Sequence, residues 1–335
     1  MKLSLFVLIA AASVFPSNPS SRPLRRYLVA AASNDGGPGK VPLRFSGDDA
    51  RGVVATMSSV GGVAQGEVEL LLEPDTGRFL STLREVSGRM ARSRDSGFRV
   101  EFILYYSGHS DEEGLLLGST RLRYLDLRRV LDKSPADVRL AVLDACASGA
   151  ALRVKGGVRR QAFQVDGNDR LRGQAYLTSS RAEEASQESD KLQGSVFTHA
   201  FLAGVRGAAD ADGDGRVTLL EAYRYAYRET VERTSSTRVG PQHPEFDLDL
   251  SGSGDVVLSD IAQAGAVMEL SGDLRGRIRV ADSTGAVAAE LESSTGRNLP
   301  LGLPAGTWRV TMTDSVDART GTVVLAAGSR MVVGI

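Results

Sequence analysis

Phe98-Arg99-Val100-Glu101-Phe102-Ile103-Leu104-Tyr105-Tyr106-Ser107-Gly108-His109 is the stretch that decides the fold. Apart from Arg99 and Glu101, residues 98–106 are apolar or aromatic, as in a strand buried on both faces, and the run ends in small residues and a histidine. Val138 to Leu143 repeats the pattern and runs into Asp144-Ala145-Cys146-Ala147-Ser148-Gly149. Leu125 to Leu131 between them reads as a helix, with Leu125, Val130 and Leu131 apolar. Upstream, Tyr27 to Ser33 and Val68 to Leu72 read as strands, and Gly47 to Val60 as a helix opened by Asp48 and Asp49. Phe79, Leu83, Val86 and Met90 fall on one face of a further helix that Asp75 or Thr76 can cap. Downstream, Gln174 to Ser180 is the next strand. Strands separated by helical segments predict right-handed crossovers and an α/β fold with a mainly parallel central sheet. Ligands of such sheets sit beyond the carboxyl ends of the strands, which directs attention to the residues after Tyr106 and Leu143.

The chain has 335 residues, with 40 Lys+Arg against 41 Asp+Glu, one cysteine and three histidines. One cysteine excludes an intrachain disulfide, a CxxC zinc site and an iron–sulfur cluster. Near-zero net charge argues against a protein built to neutralise nucleic-acid phosphates, so no nucleic-acid partner is expected. Met1-Lys2, the apolar run Leu3 to Phe15 and the Pro/Ser/Asn stretch Pro16 to Ser21 have the layout of a secretory signal peptide. Residues 1–22 are therefore expected to be a signal peptide and spacer, a buried first strand being the alternative, and the protein to be exported to the periplasm or beyond the cell. No later stretch is long and apolar enough to span a bilayer, so no membrane span is expected after signal removal.

His109 and Cys146 each leave a strand end within three residues, on the same edge of the expected sheet. A free thiol has a pKa near roughly 8.5 and needs a neighbouring imidazole to act as a nucleophile at neutral pH. The small residues around both groups would let a substrate backbone approach and leave the Cys146 N–H open to an oxyanion. Taken singly, a buried small hydrophobe for Cys146 and a satisfied core residue for His109 are alternative readings.

The segments Tyr105-Tyr106-Ser107-Gly108-His109 and Asp144-Ala145-Cys146-Ala147-Ser148-Gly149 resemble the paired motifs of the caspase and metacaspase cysteine peptidases, close to the bacterial metacaspase-like branch. The resemblance covers about residues 25 to 232 and implies a caspase-like three-layer sandwich. It also implies that His109 is the general base and Cys146 the nucleophile of a dyad that cleaves peptide bonds through an acyl-enzyme. Ser110 stands where the family usually has Gly, and Ala147 where His is common. Gly47-Asp48-Asp49-Ala50 matches a family motif, so that Asp49, Ser107 and Asp144 correspond to the S1 pocket. Two carboxylates in a partly desolvated pocket favour a guanidinium, so the implied substrate is a peptide or protein with Arg or Lys at P1. Without the resemblance, Asp49 reads equally as a helix-start acid and Asp144 as a strand-end residue bonding backbone. Residues 151 to 173, rich in Gly and Arg, read as an exposed loop, either uncut or open to self-cleavage at Arg159 or Arg160.

Asp210, Asp212, Asp214, Gly215, Arg216, Thr218 and Glu221 occupy positions 1, 3, 5, 6, 7, 9 and 12 of an EF-hand-type loop, 210–221, between the helical runs Val196 to Val205 and Leu219 to Glu232. Ca²⁺ is the expected cofactor, with Arg216 giving only its carbonyl; an acidic turn with a capping Glu and no metal is the alternative. Its role is open between structural and activating, the latter implied by the calcium dependence frequent in metacaspases. His199 and His243 are assigned no role.

The peptidase-like domain is expected over 23–234, a Ser-, Gly-, Pro- and Asp-rich linker over 235–260, and a small all-β sandwich over 261–335. Its expected strands are Val267 to Leu270, Arg277 to Val280, Val287 to Leu291, Trp308 to Met312, Thr322 to Leu325 and Met331 to Ile335. An envelope or protein partner is the expectation for this accessory domain. Three readings stand at this point: an exported calcium-binding endopeptidase, a catalytically silent caspase-fold binding module acting through the sandwich, and a calcium-dependent structural protein.

Overall fold

A computed structural model of the chain describes residues 22–146, 148–153, 171–252, 254–293, 296–314 and 317–334. The expected signal peptide lies outside the described residues, as do Ala147, Arg159 and Arg160.

Six strands form the central sheet: β1 (Leu24–Ser33), β2 (Val68–Leu72), β3 (Arg99–Gly108), β4 (Val138–Ala145), β5 (Arg172–Thr178) and β6 (Glu245–Ser251). Their order is β6-β5-β4-β3-β1-β2, parallel throughout except where β6 runs antiparallel to β5. All ten residues of β3 are buried, as its near-continuous apolar sequence requires of a central strand covered on both faces. Helices α1 (Ser46–Ser59), α4 (Val196–Ala203) and α5 (Leu219–Thr234) cover one face; α2 (Thr76–Asp95) and α3 (Tyr124–Asp132) cover the other. Side chains alternate along β3 and β4, so Tyr105 and Val142 pack under α1 and α4 while Tyr106 and Leu143 pack under α2 and α3. Asp75 caps α2 as expected, accepting from Arg78 N at 2.7 Å. Helix α1 opens without a side-chain cap, and Asp48 and Asp49 sit in its first turn.

The stretch 235–260, expected as a linker, instead carries two strands. Glu245–Ser251 is β6 of the central sheet, its Phe246, Leu248 and Leu250 packing on the core, and Val257–Asp260 pairs with Arg216–Thr218 of the acidic loop. The alternation of acidic and apolar residues in Glu245–Ser251 suits a half-buried edge strand, with charges discouraging further pairing.

Beyond residue 260 there are two small sheets. One has three strands, with Ala266–Leu270 between Leu299–Leu303 and Arg330–Val333; the other has four, in the order Val287–Ser293, Gly276–Asp282, Gly306–Thr313, Ala318–Leu325. Leu299–Leu303 is a strand the sequence reading missed, because Pro300 and Gly302 argue against an extended interior segment. The apolar faces of the two sheets join the core under α1, α4 and α5 rather than forming a separate one.

Arg99 and Glu101, the charged residues inside the apolar run of β3, belong to a buried triad. Glu101 accepts from Arg26 Nε at 2.7 Å and lies 2.6 Å from Arg99 Nη2. Arg26 also donates to the carbonyls of Gly61 (2.6 Å), Leu258 (3.1 Å) and Val257, tying the end of α1 and the strand Val257–Asp260 to the sheet. Removing one partner of a buried ionic group leaves uncompensated charge and costs about 3–5 kcal/mol. Glu101→Gln is therefore expected to lower the stability of the whole chain by about that amount in urea denaturation. A loss under about 1 kcal/mol, the scale of an exposed pair, would show that the triad is not a structural tie.

Candidate active site

In the parallel register of β3 and β4, Gly108 lies opposite Ala145, so the next residue of each chain is His109 and Cys146. Neighbouring strands are about 4.8 Å apart, so the histidine loop and the cysteine turn leave the sheet side by side at its carboxyl edge. His109 Nε2 lies 3.0 Å from the Val41 carbonyl oxygen, so Nε2–H donates and Nδ1 is the nitrogen left to take a proton. Gly36 makes room for the ring: a Cβ there would stand 2.5 Å from His109 Cδ2. The Tyr106 hydroxyl lies 2.9 Å from the His109 carbonyl oxygen and 2.6 Å from that of Leu116, holding the histidine loop from below. Neither Gly36 nor Tyr106 was singled out in the sequence, where one belongs to a turn and the other to a core strand.

The Cys146 thiol is half-buried and faces the Ser186 carbonyl oxygen at 3.8 Å. Burial pushes the thiol pKa up, as does the Asp144 charge, while the Ser186 contact and Lys40 act the other way. Burial lowers the His109 pKa, the Lys40 charge adding to the effect and the Val41 hydrogen bond opposing it. Both directions favour a neutral thiol and a neutral imidazole in the free protein. Ser110 donates its hydroxyl to the Cys146 carbonyl, linking the histidine loop to the cysteine turn at the position where the family usually has Gly.

One residue earlier on the same strands, Ser107 lies opposite Asp144, and both face α1 and α4. Asp49, in the first turn of α1, accepts from Ser107 Oγ at 3.2 Å and from Ser195 N at 3.1 Å. Asp144 accepts from Ser186 Oγ at 2.6 Å and from Thr198 Oγ1 at 2.5 Å, and Tyr105 lies behind Thr198 at 2.7 Å. Asp49 is 6% exposed and Asp144 3%, yet among the described residues neither forms an ion pair. Burial raises the Asp49 pKa well above the usual carboxylate value, and the nearby Asp144 charge raises it further. The three expected S1 residues are thus brought together, and among the described residues the two acids have no ion-pair partner. Gln242, fully buried, steadies this wall: its Nε2 donates to Ser179 O at 2.7 Å and its Oε1 accepts from Gln187 N at 3.0 Å. It lies in the stretch expected as a linker, and nothing in its sequence neighbourhood marked it.

The acidic loop follows α4 and a π-helical turn, Gly204–Ala208, and leads into α5. Carboxylate oxygens of Asp210, Asp212 and Asp214 lie within 4.8 Å of one another. Gly213 and Gly215 turn the loop at φ of 81° and 83°, conformations that favour glycine. Glu221 accepts from Ala211 N at 3.0 Å and, on its other oxygen, from Thr218 N at 2.9 Å, in a capping box at the start of α5. The three carboxylates and the glycine positions fit a hard divalent cation such as Ca²⁺, while both Glu221 oxygens are engaged in the cap. The Arg216 side chain is exposed, and its N–H is bonded to Asp214.

Residues 34–252 match the caspase domain family. No curated protein sequence matches the chain. Among solved structures, the crystal structure of caspase-1 from Spodoptera frugiperda is similar, with a TM-score of 0.49 at 12% identity, covering 72% of this chain and 91% of that one. With the family match spanning more than half of its length, the chain belongs to the caspase family and carries a cysteine peptidase domain.

Proposed function

We propose that the protein is an exported, calcium-binding cysteine endopeptidase that cleaves after Arg or Lys. The observation that carries this reading is the buried pair Asp49 and Asp144, which form no ion pair among the described residues, with Asp144 two residues before Cys146 and Asp49 bonded to Ser107, two residues before His109. A buried acidic pair is costly without a counter-charge, and a guanidinium or ammonium at P1 supplies one. The scissile carbonyl then sits over Cys146. As the sulfur attacks, the thiol proton passes to His109 Nδ1, the S–C bond forms, and the carbonyl electrons move to the oxyanion. Collapse of that intermediate breaks the C–N bond, and His109 returns the proton to the leaving amine. Water, deprotonated by the same imidazole, attacks the acyl carbon; the C–S bond breaks, the carboxyl product leaves and His109 returns the proton to the Cys146 sulfur. The Val41 carbonyl serves this cycle by stabilising the imidazolium formed midway.

The direct test is hydrolysis of fluorogenic Arg, Lys and Asp peptides. Cys146→Ala is expected to reduce kcat/KM at least ~10³-fold. Asp49→Asn and Asp144→Asn are expected to raise KM for the Arg peptide ~10- to 100-fold, the scale of one charged hydrogen bond, with a smaller effect on kcat. Faster cleavage after Asp than after Arg would overturn the specificity, and equal rates for wild type and Cys146→Ala the activity.

The raised Asp49 pKa gives the specificity a pH signature. A P1 cation needs the carboxylate, so binding expels the Asp49 proton, and KM should rise as pH falls through that raised value. For stability the sign is the reverse: the fold favours protonated Asp49, a contribution lost as pH rises from the unfolded-state value through the folded one. Asp49→Asn is therefore expected to flatten the KM profile and to melt higher than wild type at pH 7. A variant that keeps the wild-type KM profile would count against the role of Asp49.

Asp210, Asp212, Asp214, Thr218, Glu221 and the Arg216 carbonyl would hold Ca²⁺, which supplies charge balance and fixes the path from α4 into α5. EGTA is expected to lower the melting temperature of wild type and calcium to restore it, with Asp210→Asn unresponsive to either. Identical melting of wild type in EGTA and calcium would remove the metal from the proposal. Export is supported by the apolar run Leu3 to Phe15, and among the described residues no helix is long and apolar enough to cross a membrane. Sequencing the N-terminus of the mature protein should find the first residues removed; a retained Met1 would refute it.

A further inference from the structure

Between the peptidase domain and the sandwich is a cleft of about 560 Å³, bounded by α1, α4, the turn 192–194 and the sandwich residues Ala288 and Trp308. Phe45, Leu202, Val287 and Trp308 make its walls apolar, while Arg206 and His199 are polar groups within it. Arg206 donates Nη1–H to the Ala288 carbonyl at 2.8 Å and forms no ion pair among the described residues. His199 is 8% exposed, and its Nε2 is buried without a hydrogen-bond partner. The acids that line the cleft are already engaged. Asp48 pairs with Arg51 at 3.0 Å, Asp282 accepts from Thr284 and Ala286 of its own turn, and Asp49 is held by Ser195 and Ser107. Burial lowers the Arg206 pKa to about 10, which leaves it cationic at neutral pH. Burial takes His199 down to about 3, helped by the charges of Arg233, Arg206 and Arg279, so the imidazole is neutral. Arg279 also forms no ion pair among the described residues and donates only to the Lys191 carbonyl at 3.3 Å. A desolvated guanidinium without a counter-charge is costly, and an anion in the cleft removes that cost.

We propose that this interdomain cleft binds a small carboxylate with an apolar body, its carboxylate on Arg206 and His199 and its body against Trp308. The site goes beyond the peptidase reading and stands without it. Asp49, one of the two acids at the sheet edge, and Thr198, which donates to the other, also line this cleft.

Trp308 is the only tryptophan of the chain, so its emission reports on the cleft directly. The full chain is titrated with 3-phenylpropionate, with uncharged 3-phenylpropionamide and inorganic phosphate as comparators. A saturable change with 3-phenylpropionate is expected, and binding at least ~10-fold weaker for both comparators, the scale of one charge-assisted hydrogen bond. Arg206→Met should lose at least ~10-fold in affinity and Arg206→Lys should lie between it and wild type. The fold of each variant is checked by circular dichroism and melting temperature. If Arg206→Met does not fold, the Arg206→Lys variant and the amide comparator still decide the matter. Equal binding of acid and amide, equal binding of phosphate, unchanged affinity in a folded Arg206→Met, or no saturable signal up to about 10 mM would each overturn the proposal.

Discussion

The active edge depends on one constraint, the parallel register that sets Gly108 of β3 opposite Ala145 of β4. Parallel strands end on the same side of a sheet, so one register brings two loops together and fixes which of their residues meet. A shift by one residue would exchange the faces of a strand, sending Ser107 or Asp144 into the apolar layer under α2 and α3. The apolar alternation of the two strands forbids that shift. Tyr105 and Val142 fill one core and Tyr106 and Leu143 the other, and all four are at most 1% exposed. The packing of four core residues thereby sets the distance between two chemical groups that share no sequence neighbourhood.

The same alternation explains why the acids meet. Ser107 and Asp144 lie two residues beyond Tyr105 and Val142 on the face covered by α1 and α4, and Asp49 enters from the first turn of α1. Dipolar donors from four segments serve the pair: Ser107, Ser186, Ser195 and Thr198. They satisfy lone pairs without supplying a positive charge, which leaves net charge or a bound proton in a desolvated place. The raised Asp49 pKa is the expression of that shortfall. Pre-arranged donors hold the carboxyl groups in position while leaving their charge for a third party.

What could be read from the sequence was what local pattern determines. The strands β1 to β5, the Asp75 cap, and the positions of His109 and Cys146 at strand ends follow from apolar runs and their punctuation. Edges and long-range ties were harder to read. Glu245–Ser251 has a period of two, but its neighbours Gly240, Pro241, Pro244 and Gly252 have the composition of a loop, and an edge strand is only half apolar. Leu299–Leu303 was hidden by Pro300, whose missing N–H is tolerable because the strand lies at the sheet edge. Gly36 beside the His109 ring and Gln242 behind Ser186 depend on contacts made only after folding, so no spacing rule points to them. The acidic loop shows a mixed outcome: Asp210, Asp212 and Asp214 converge as their spacing implies, while Glu221 serves first as a helix cap.

The accessory sandwich is better understood as a wall of the peptidase domain than as a module on a tether. Arg206, after α4, reaches the Ala288 carbonyl at 2.8 Å, and Arg233 of α5 pairs with Glu290 at 2.9 Å. The backbones approach so closely that a Cβ on Gly207 would stand 2.2 Å from the Pro300 carbonyl oxygen, and one on Gly302 would stand 2.6 Å from Val60 Cγ1. Such contacts leave no room for independent movement without opening a shared core, and cores respond to strain by shifting packed elements together. The elements so held are α1 and α4, which carry Asp49 and Thr198. A change at the domain junction therefore reaches the acidic pair through rigid helices rather than through flexible loops.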